Sequence, residues 1–284
     1  MDETLNKTMH EPMNKEPDVP LREESVENTQ KNVHVRKHEP LLLEKHGSSG
    51  IVLFIHGFMG SPRQFEALVE LAREQEVSAA SLLLPGHGAG SDEFKKSTKA
   101  MWQEHVDSVL KRFSGEYERI LLVGQSMGGL LSINAAVKQP KHVKGLMLIC
   151  SPFKLASFSP RMFEGRRVQA FAREERPLQA AFNEGAGVEA GSRTLWHVIK
   201  PATDFLRVMH ATKENLPKLR APVTAFYSTG DEIVSIKSLD ILRAGLTGAK
   251  LEGITLKDSN HAHFPPQERE MIENALIERI KSLL

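Results

Sequence analysis

The chain has 284 residues, 40% of them hydrophobic, with 37 Lys and Arg against 36 Asp and Glu and a formal net charge of +1. This is enough apolar material for one large domain, or a core domain with a substantial insertion, and it leaves no overall field steering the protein toward nucleic acid or a charged membrane. The single cysteine, Cys150, rules out an internal disulfide. The opening "MDETLNKTMH" is acidic and polar where a secretory leader would be basic and then apolar, and no later apolar run approaches the length of a membrane span. The expectation is a soluble, cytoplasmic protein, with no nucleic-acid partner and no stable membrane insertion, acting on a small molecule as a monomer or homodimer.

Residues 1–38 are rich in Glu, Lys, Asn, Thr and Pro with scattered aliphatics, the composition of a disordered or loosely docked polar tail. From residue 39 the pattern changes. "PLLLE" and "GIVLFIHG" read as two neighbouring strands, the second buried on both faces, separated by the turn-forming "HGSSG". "SPRQFEALVELAREQ" reads as a helix with Ser61 as N-cap, Pro62 at its first position and Gln64 completing a capping box; Phe65, Leu68, Val69 and Ala72 share one face. "VSAASLLLPGHG" is a strand ending in a Gly-rich loop, and Trp102, Val106, Val109 and Phe113 mark an amphipathic helix. Then follow the strand "RILLVG", the helix "MGGLLSINAAVKQ" stopped at Pro140, and the strand "VKGLMLIC". Strands alternating with helices of this length predict a mostly parallel sheet covered by helices on both faces.

Between about Ser151 and Pro222 no strand pattern survives, and a helical insertion is the simplest account; its apolar residues Phe158, Met162, Phe163, Phe171, Phe182 and Trp196 need a surface to pack against. The alternation resumes with "PVTAFYSTGDE", a helix from about Ile236, the strand "KLEGITL" and a closing helix with Ile272, Leu276 and Ile280 on one face.

"GQSMGG" lies where the strand "RILLVG" gives way to a helix. A very tight turn there forces its apex residue, Ser126, into an uncommon backbone conformation and stands the hydroxyl clear of the chain. Side chains at 124 and 128 would collide with the adjoining strand and helix, and glycine removes that collision. The result is a nucleophile elbow, G-x-S-x-G, over the positive end of a helix. The pentapeptide alone is a weak signal; its place between strand and helix strengthens it.

A serine nucleophile needs a base, and the base an orienting acid, which on such a scaffold follow in the order acid then histidine, each just beyond a strand end. "STGDEIVS" and "KDSNHAHF" meet that demand. Asp231 is the chosen acid with Glu232 as fallback, while Asp240 falls inside a helix as a solvated charge. His261 is the chosen base over His263. The oxyanion donors are the N–H groups of Met127, which follows the serine, and of Phe58 in "HGFMG". His56 reads as a brace for that loop, His87 in "PGHG" as part of a structural turn bordering the pocket, and Cys150 as an inert buried thiol.

Together "HGFMGSP", "LPGHG", "GQSMGG", "GDEIVS" and "SNHAHF" resemble the α/β-hydrolase superfamily, in its bacterial carboxylesterase and monoacylglycerol-lipase-like branch, over about Leu41 to Leu284. The resemblance implies an α/β-hydrolase domain over 39–284 with a helical cap, about 152–215, above the acyl pocket. It also implies Ser126, Asp231 and His261 as catalytic triad, Phe58 and Met127 as oxyanion donors, and hydrolysis through an acyl-enzyme with no metal or organic cofactor. Two features depart from the family pattern: Asn260 stands where glycine often precedes the histidine, and the polar tail is not shared. The expected activity is that of a serine carboxylesterase on short- to medium-chain acyl esters. Monoacylglycerol lipase and thioesterase chemistry are the nearest rivals, and a ligand-binding receptor on a hydrolase scaffold is the rival from another class.

Overall fold

The computed structural model describes residues 39–156 and 194–283. The tail, residues 1–38, and residues 157–193 of the expected cap, with Phe158, Met162, Phe163, Phe171 and Phe182, lie outside the described residues.

The elements alternate as the periodicity predicts. Strands β1 (Leu41–Leu43) and β2 (Gly50–Ile55) are followed by helix α1 (Glu66–Glu74), β3 (Ser78–Leu82), α2 (Ser91–Lys96), α3 (Lys99–Glu116), β4 (Arg119–Gln125), α4 (Met127–Lys138) and β5 (Val143–Ile149). After residue 193 come α5 (Thr194–Asn215), β6 (Val223–Ser228), α6 (Lys237–Gly245), β7 (Leu251–Leu256) and α7 (Pro266–Leu283). They form a seven-stranded sheet in the order β1-β3-β2-β4-β5-β6-β7. Every pairing is parallel except β1 with β3, which runs antiparallel with Leu41 opposite Ser81. This is an α/β-hydrolase fold.

Strand alternation divides the apolar side chains between two cores. Ile51, Leu53 and Ile55 of β2 face one side, where they join Trp102, Val106 and Phe113 of α3, Leu130 and Ile133 of α4 and Phe205 of α5. Val52 and Phe54 face the other, with Phe65, Leu68, Val69 and Ala72 beside α1 and Ile272, Leu276 and Ile280 of α7.

Two local expectations are corrected. β1 does not lie beside β2: β3 and β4 already flank β2 in parallel register, and β1 pairs instead with the outer edge of β3. The segment after Ser61 is not an α-helix from its first residue. Pro62–Phe65 forms a 3₁₀ turn, Ser61 makes no capping hydrogen bond through its side chain, and the α-helix begins at Glu66. The capping box fails because the Gln64 carboxamide is drawn away to Gln125.

The order of strands brings the site together. After β2 the chain goes to one side for β3 and then returns to the other side of β2 for β4. The loops leaving the carboxyl ends of β2 and β4 therefore diverge and open a crevice, the usual ligand position in such sheets. Strain concentrates on this rim: three of the four non-glycine residues with positive φ among the described residues, Met59, Ser126 and Cys150, follow β2, β4 and β5.

Candidate active site

Ser126 is the hinge between β4 and α4, at φ 52° and ψ −122°. Its N–H continues the sheet ladder by donating to the Ile149 carbonyl at 2.8 Å, and its own carbonyl accepts from Gly129 N–H at 3.1 Å as the helix begins. The flanking glycines are sterically required. A Cβ on Gly124 would lie 2.5 Å from Gly129 Cα, and one on Gly128 would be driven into the Ile55 carbonyl of β2. Sequence reasoning overlooked Gly129, where a Cβ would strike the Ser151 side chain. The "HGFMG" loop also closes on the serine, for a Cβ on Gly57 would stand 3.0 Å from Ser126 Cβ. Phe58 follows Gly57 directly in that loop, and Met127 is the first residue of α4, where the N–H groups have no preceding helical turn to bond to.

The side chains singled out from the sequence converge here. His261 Nε2 lies 3.1 Å from Ser126 Oγ, and its Nδ1 lies 2.9 Å from Asp231 Oδ2. Asp231 sits in the turn after β6, buried, and its other oxygen accepts from Ile233 and Val234 N–H at 2.8 and 2.7 Å. That side-chain turn occupies Oδ1 and leaves Oδ2 to face the imidazole. Burial alone would raise the Asp231 carboxyl, but the His261 charge and hydrogen bond, joined by the two backbone donors, hold it below its usual value. In the same way burial would push the His261 imidazole down, yet the Asp231 charge and hydrogen bond, with Glu232 beyond, raise it.

The remaining candidates take other places. Glu232 does not orient the ring; its carboxylate accepts the His261 backbone N–H at 3.1 Å. His263 closes the same turn through its main chain, its N–H reaching Asn260 Oδ1 at 2.8 Å and its carbonyl accepting from Asn260 N–H. Asn260 Oδ1 also accepts from Ala262 N–H at 3.1 Å, so this side chain builds the bend around His261. Asp240 is an exposed charge beside Arg243 on α6.

His56 and His87 are buried braces. His56 Nδ1 donates to the Gly57 carbonyl at 2.9 Å and Nε2 accepts from Leu84 N–H, while His87 Nε2 accepts from Met59 N–H at 3.2 Å. Burial drives both imidazoles to the neutral form, His87 to about 4, and a neutral ring with one donor and one acceptor is what these contacts use.

Cys150 is buried, and its thiol, the Asp231 carboxylate and the His261 ring offer atoms within 4.8 Å of one another. Burial and then the Asp231 charge push the thiol well up, so it stays protonated, and the Asp231 and His261 atoms are already committed to each other. A metal ion would have to break that pair to bind.

Sequence reasoning missed the part that three polar side chains play around His261. Gln125 Nε2 donates to the His261 carbonyl at 3.1 Å, and Gln64 Nε2 donates to Gln125 Oε1. Glu268, in the first turn of α7, accepts from Lys257 N–H at 2.5 Å, Asp258 N–H at 3.1 Å and Ser259 Oγ, gripping the turn that carries His261. Gln125 was in view as the residue before the serine, but nothing local signals its partner.

The family model described as "Alpha/beta hydrolase family" matches residues 52–273. The thermostable monoacylglycerol lipase of Bacillus sp. (strain H-257) is 24% identical over 237 residues, covering 82% of this chain and 90% of that protein. Among solved structures, the monoacylglycerol lipase of Paleococcus ferrophilus superposes with a TM-score of 0.65 at 18% identity, over 86% of this chain and 98% of that one. A chain described with the metagenome-derived lipolytic enzymes LipS and LipT superposes at 0.66 with 20% identity, over 87% and 98%.

Proposed function

Since the chain belongs to the alpha/beta hydrolase family, we propose that it is a serine carboxylesterase that cleaves short- to medium-chain acyl esters through an acyl-enzyme. The observation that carries this reading is the unbroken series Ser126 Oγ, His261 Nε2, His261 Nδ1, Asp231 Oδ2, with spacings of 3.1 and 2.9 Å. Asp231 holds the proton on Nδ1, so Nε2 presents its lone pair to the serine.

In the proposed reaction Nε2 takes the hydroxyl proton as Oγ attacks the ester carbonyl. The negative charge passes to the carbonyl oxygen, where the N–H groups of Phe58 and Met127 and the positive end of α4 stabilise it. The tetrahedral intermediate collapses as imidazolium returns the proton to the departing alkoxide. Water then repeats the two steps on the acyl-enzyme, releasing the acid and restoring Ser126. An uncharged acyl group suits a site whose nucleophile-facing loop carries Phe58 and Met59, both packed against the apolar core.

Ser126→Ala is expected to keep the fold and lose roughly 10⁶-fold in kcat. The test is turnover of p-nitrophenyl esters from acetate to laurate by wild type and variant, with fluorophosphonate labelling of Ser126. Turnover by Ser126→Ala at the wild-type rate overturns the mechanism, a preference for charged acyl groups overturns the substrate class, and labelling without turnover indicates a receptor. A second reading, monoacylglycerol lipase, draws support from the relative covering 82% of the chain. Higher kcat/KM on monoacylglycerols than on simple esters of the same acyl chain would select it, and higher kcat/KM on acyl thioesters would select a thioesterase.

A further inference from the structure

The imidazole of His261 is held at both nitrogens, but those bonds orient a ring whose backbone lies in a turn between β7 and α7, outside any helix or strand. A ring can be well oriented and still be displaced with its loop. Its main chain is gripped from two other strand ends: Gln125, the last residue of β4, donates to the His261 carbonyl at 3.1 Å, and Glu232, just after β6, accepts the His261 N–H at 3.1 Å. The N–H and C=O of one residue point in different directions, so two such grips restrain both translation and rotation of the backbone that carries the ring.

The Gln125 grip has a built-in direction. A carboxamide can present either its oxygen or its nitrogen, and an inverted Gln125 would set oxygen against the His261 carbonyl oxygen. Gln64 prevents this by donating to Gln125 Oε1, which leaves Nε2 to face His261. Both glutamines are 5% exposed, and burying two amides in place of apolar side chains is unfavourable unless every donor and acceptor is used well. Room for Gln64 comes from Gly60, where a Cβ would run into Gln64 Oε1, and Gly60 belongs to the loop that carries Phe58. One chain of amides therefore links the oxyanion loop, the residue before the nucleophile and the backbone of the base.

We propose that Gln125, directed by Gln64 and opposed by Glu232, is a positioning residue that sets the place of the His261 main chain relative to Ser126. The inference rests on the reading of Ser126 and His261 as nucleophile and base. A displacement of about 1 Å in such a pair costs on the order of 10²-fold in rate. Gln125→Met, which keeps the volume and removes both amide functions, is expected to lower kcat by roughly 10- to 100-fold with KM within about twofold of wild type. Gln64→Met alone, which leaves Gln125 free to invert, is expected to lower kcat by a smaller factor. In the double variant the Gln64 effect should vanish, because residues acting through one relay are not additive. Glu232→Ala should lower kcat, and Glu232→Gln, which retains an acceptor for the His261 N–H, should recover most of that loss.

The assays are steady-state kcat and KM on a p-nitrophenyl ester, the single-turnover rate of acylation, and thermal unfolding to establish that each variant is folded at the assay temperature. Should Gln125→Met fail to fold, Gln64→Met and the Glu232 pair still decide the matter. Wild-type kcat in folded Gln125→Met or, in its place, in both Gln64→Met and Glu232→Ala, overturns the proposal, as does a change confined to KM. These failures differ from failure of the underlying reading, which would show as activity in Ser126→Ala.

Discussion

At the level of single residues, the proposed catalysis depends on which of two opposed effects sets the state of His261. Burial disfavours imidazolium, but the Asp231 charge and hydrogen bond, and then Glu232, outweigh it and raise the imidazole above its ordinary 6.5. As a base His261 would work only when neutral, so kcat/KM should fall as pH drops through an acid limb centred above 6.5. The other groups at the ring do not reverse this, since Cys150 is held as the neutral thiol and Ser126 as the neutral hydroxyl until attack. Asp231→Asn removes the charge and also upsets the tautomer, because a carboxamide nitrogen facing Nδ1 favours the proton on Nε2. Two changes are expected together in a pH-rate profile of that variant: kcat lower by about 10⁴-fold, and an acid limb moved to lower pH. An acid limb that stayed in place would mean that Asp231 does not set the ionisation of His261.

Among elements, the decisive junctions are those where a strand hands over to a loop or helix. The elbow was legible because its requirement is steric and local: Gly124 and Gly128 are needed where a Cβ would meet Gly129 and the Ile55 carbonyl. The capping box at Ser61 and Gln64 was legible only as a pattern, and a partner 61 residues away overrode it. Glu268 illustrates a junction invisible in the sequence, an acid in the first turn of α7 whose carboxylate grips Lys257, Asp258 and Ser259. Burial opposes its ionisation, but the Ser259 hydroxyl and the backbone donors prevail and lower its carboxyl below the usual 4.5. A carboxyl depressed by folding stabilises the native state at pH values above its unfolded value, and that contribution disappears as pH falls through the folded one. Glu268→Gln should therefore cost about 1.5–3 kcal/mol near neutral pH, the range for hydrogen bonds to a charged group, and much less in acid. Urea unfolding of wild type and variant at neutral pH and down a series of increasingly acid pH values checks this; a difference that stayed constant down the whole series would rule out the carboxylate as the source.

Across the whole molecule, the strand order places the loops after β2 and β4 on the same rim, and the turns after β6 and β7 then bring Asp231 and His261 to it. Hydrophobic periodicity revealed the alternation, since β2 is buried on both faces and α1 and α7 each show one apolar face. It could not reveal β1 on the outer edge of β3, because three leucines carry no record of which strand they will meet. Nor could it show that Gln125 reaches a residue 136 positions away.

A comparable long-range assembly supports the loop that carries Phe58. The Phe58 ring stacks on Phe205 of α5 at 5.4 Å between centroids and meets Phe94 of α2 and Trp102 of α3 edge-on at 5.2 and 6.1 Å. The backbone that would present the Phe58 N–H to an oxyanion is thus anchored by three helices contributed from distant parts of the chain. Phe205, 4% exposed, can be cut to alanine to test the link. Phe205→Ala is expected to cost about 3–5 kcal/mol, and at roughly 2–4 °C per kcal/mol for a domain of this size the fall in Tm should be roughly 6–20 °C. With the ring of Phe58 unsupported, kcat should fall as well, by less than the 10²- to 10³-fold expected for complete loss of one oxyanion donor. Calorimetry and ester kinetics on the same preparation separate the two effects. A lower Tm with wild-type kcat would show that the aromatic cluster stabilises the fold without governing the oxyanion donor, because the loop would then hold its amide in place through His56, His87 and Gly57 alone.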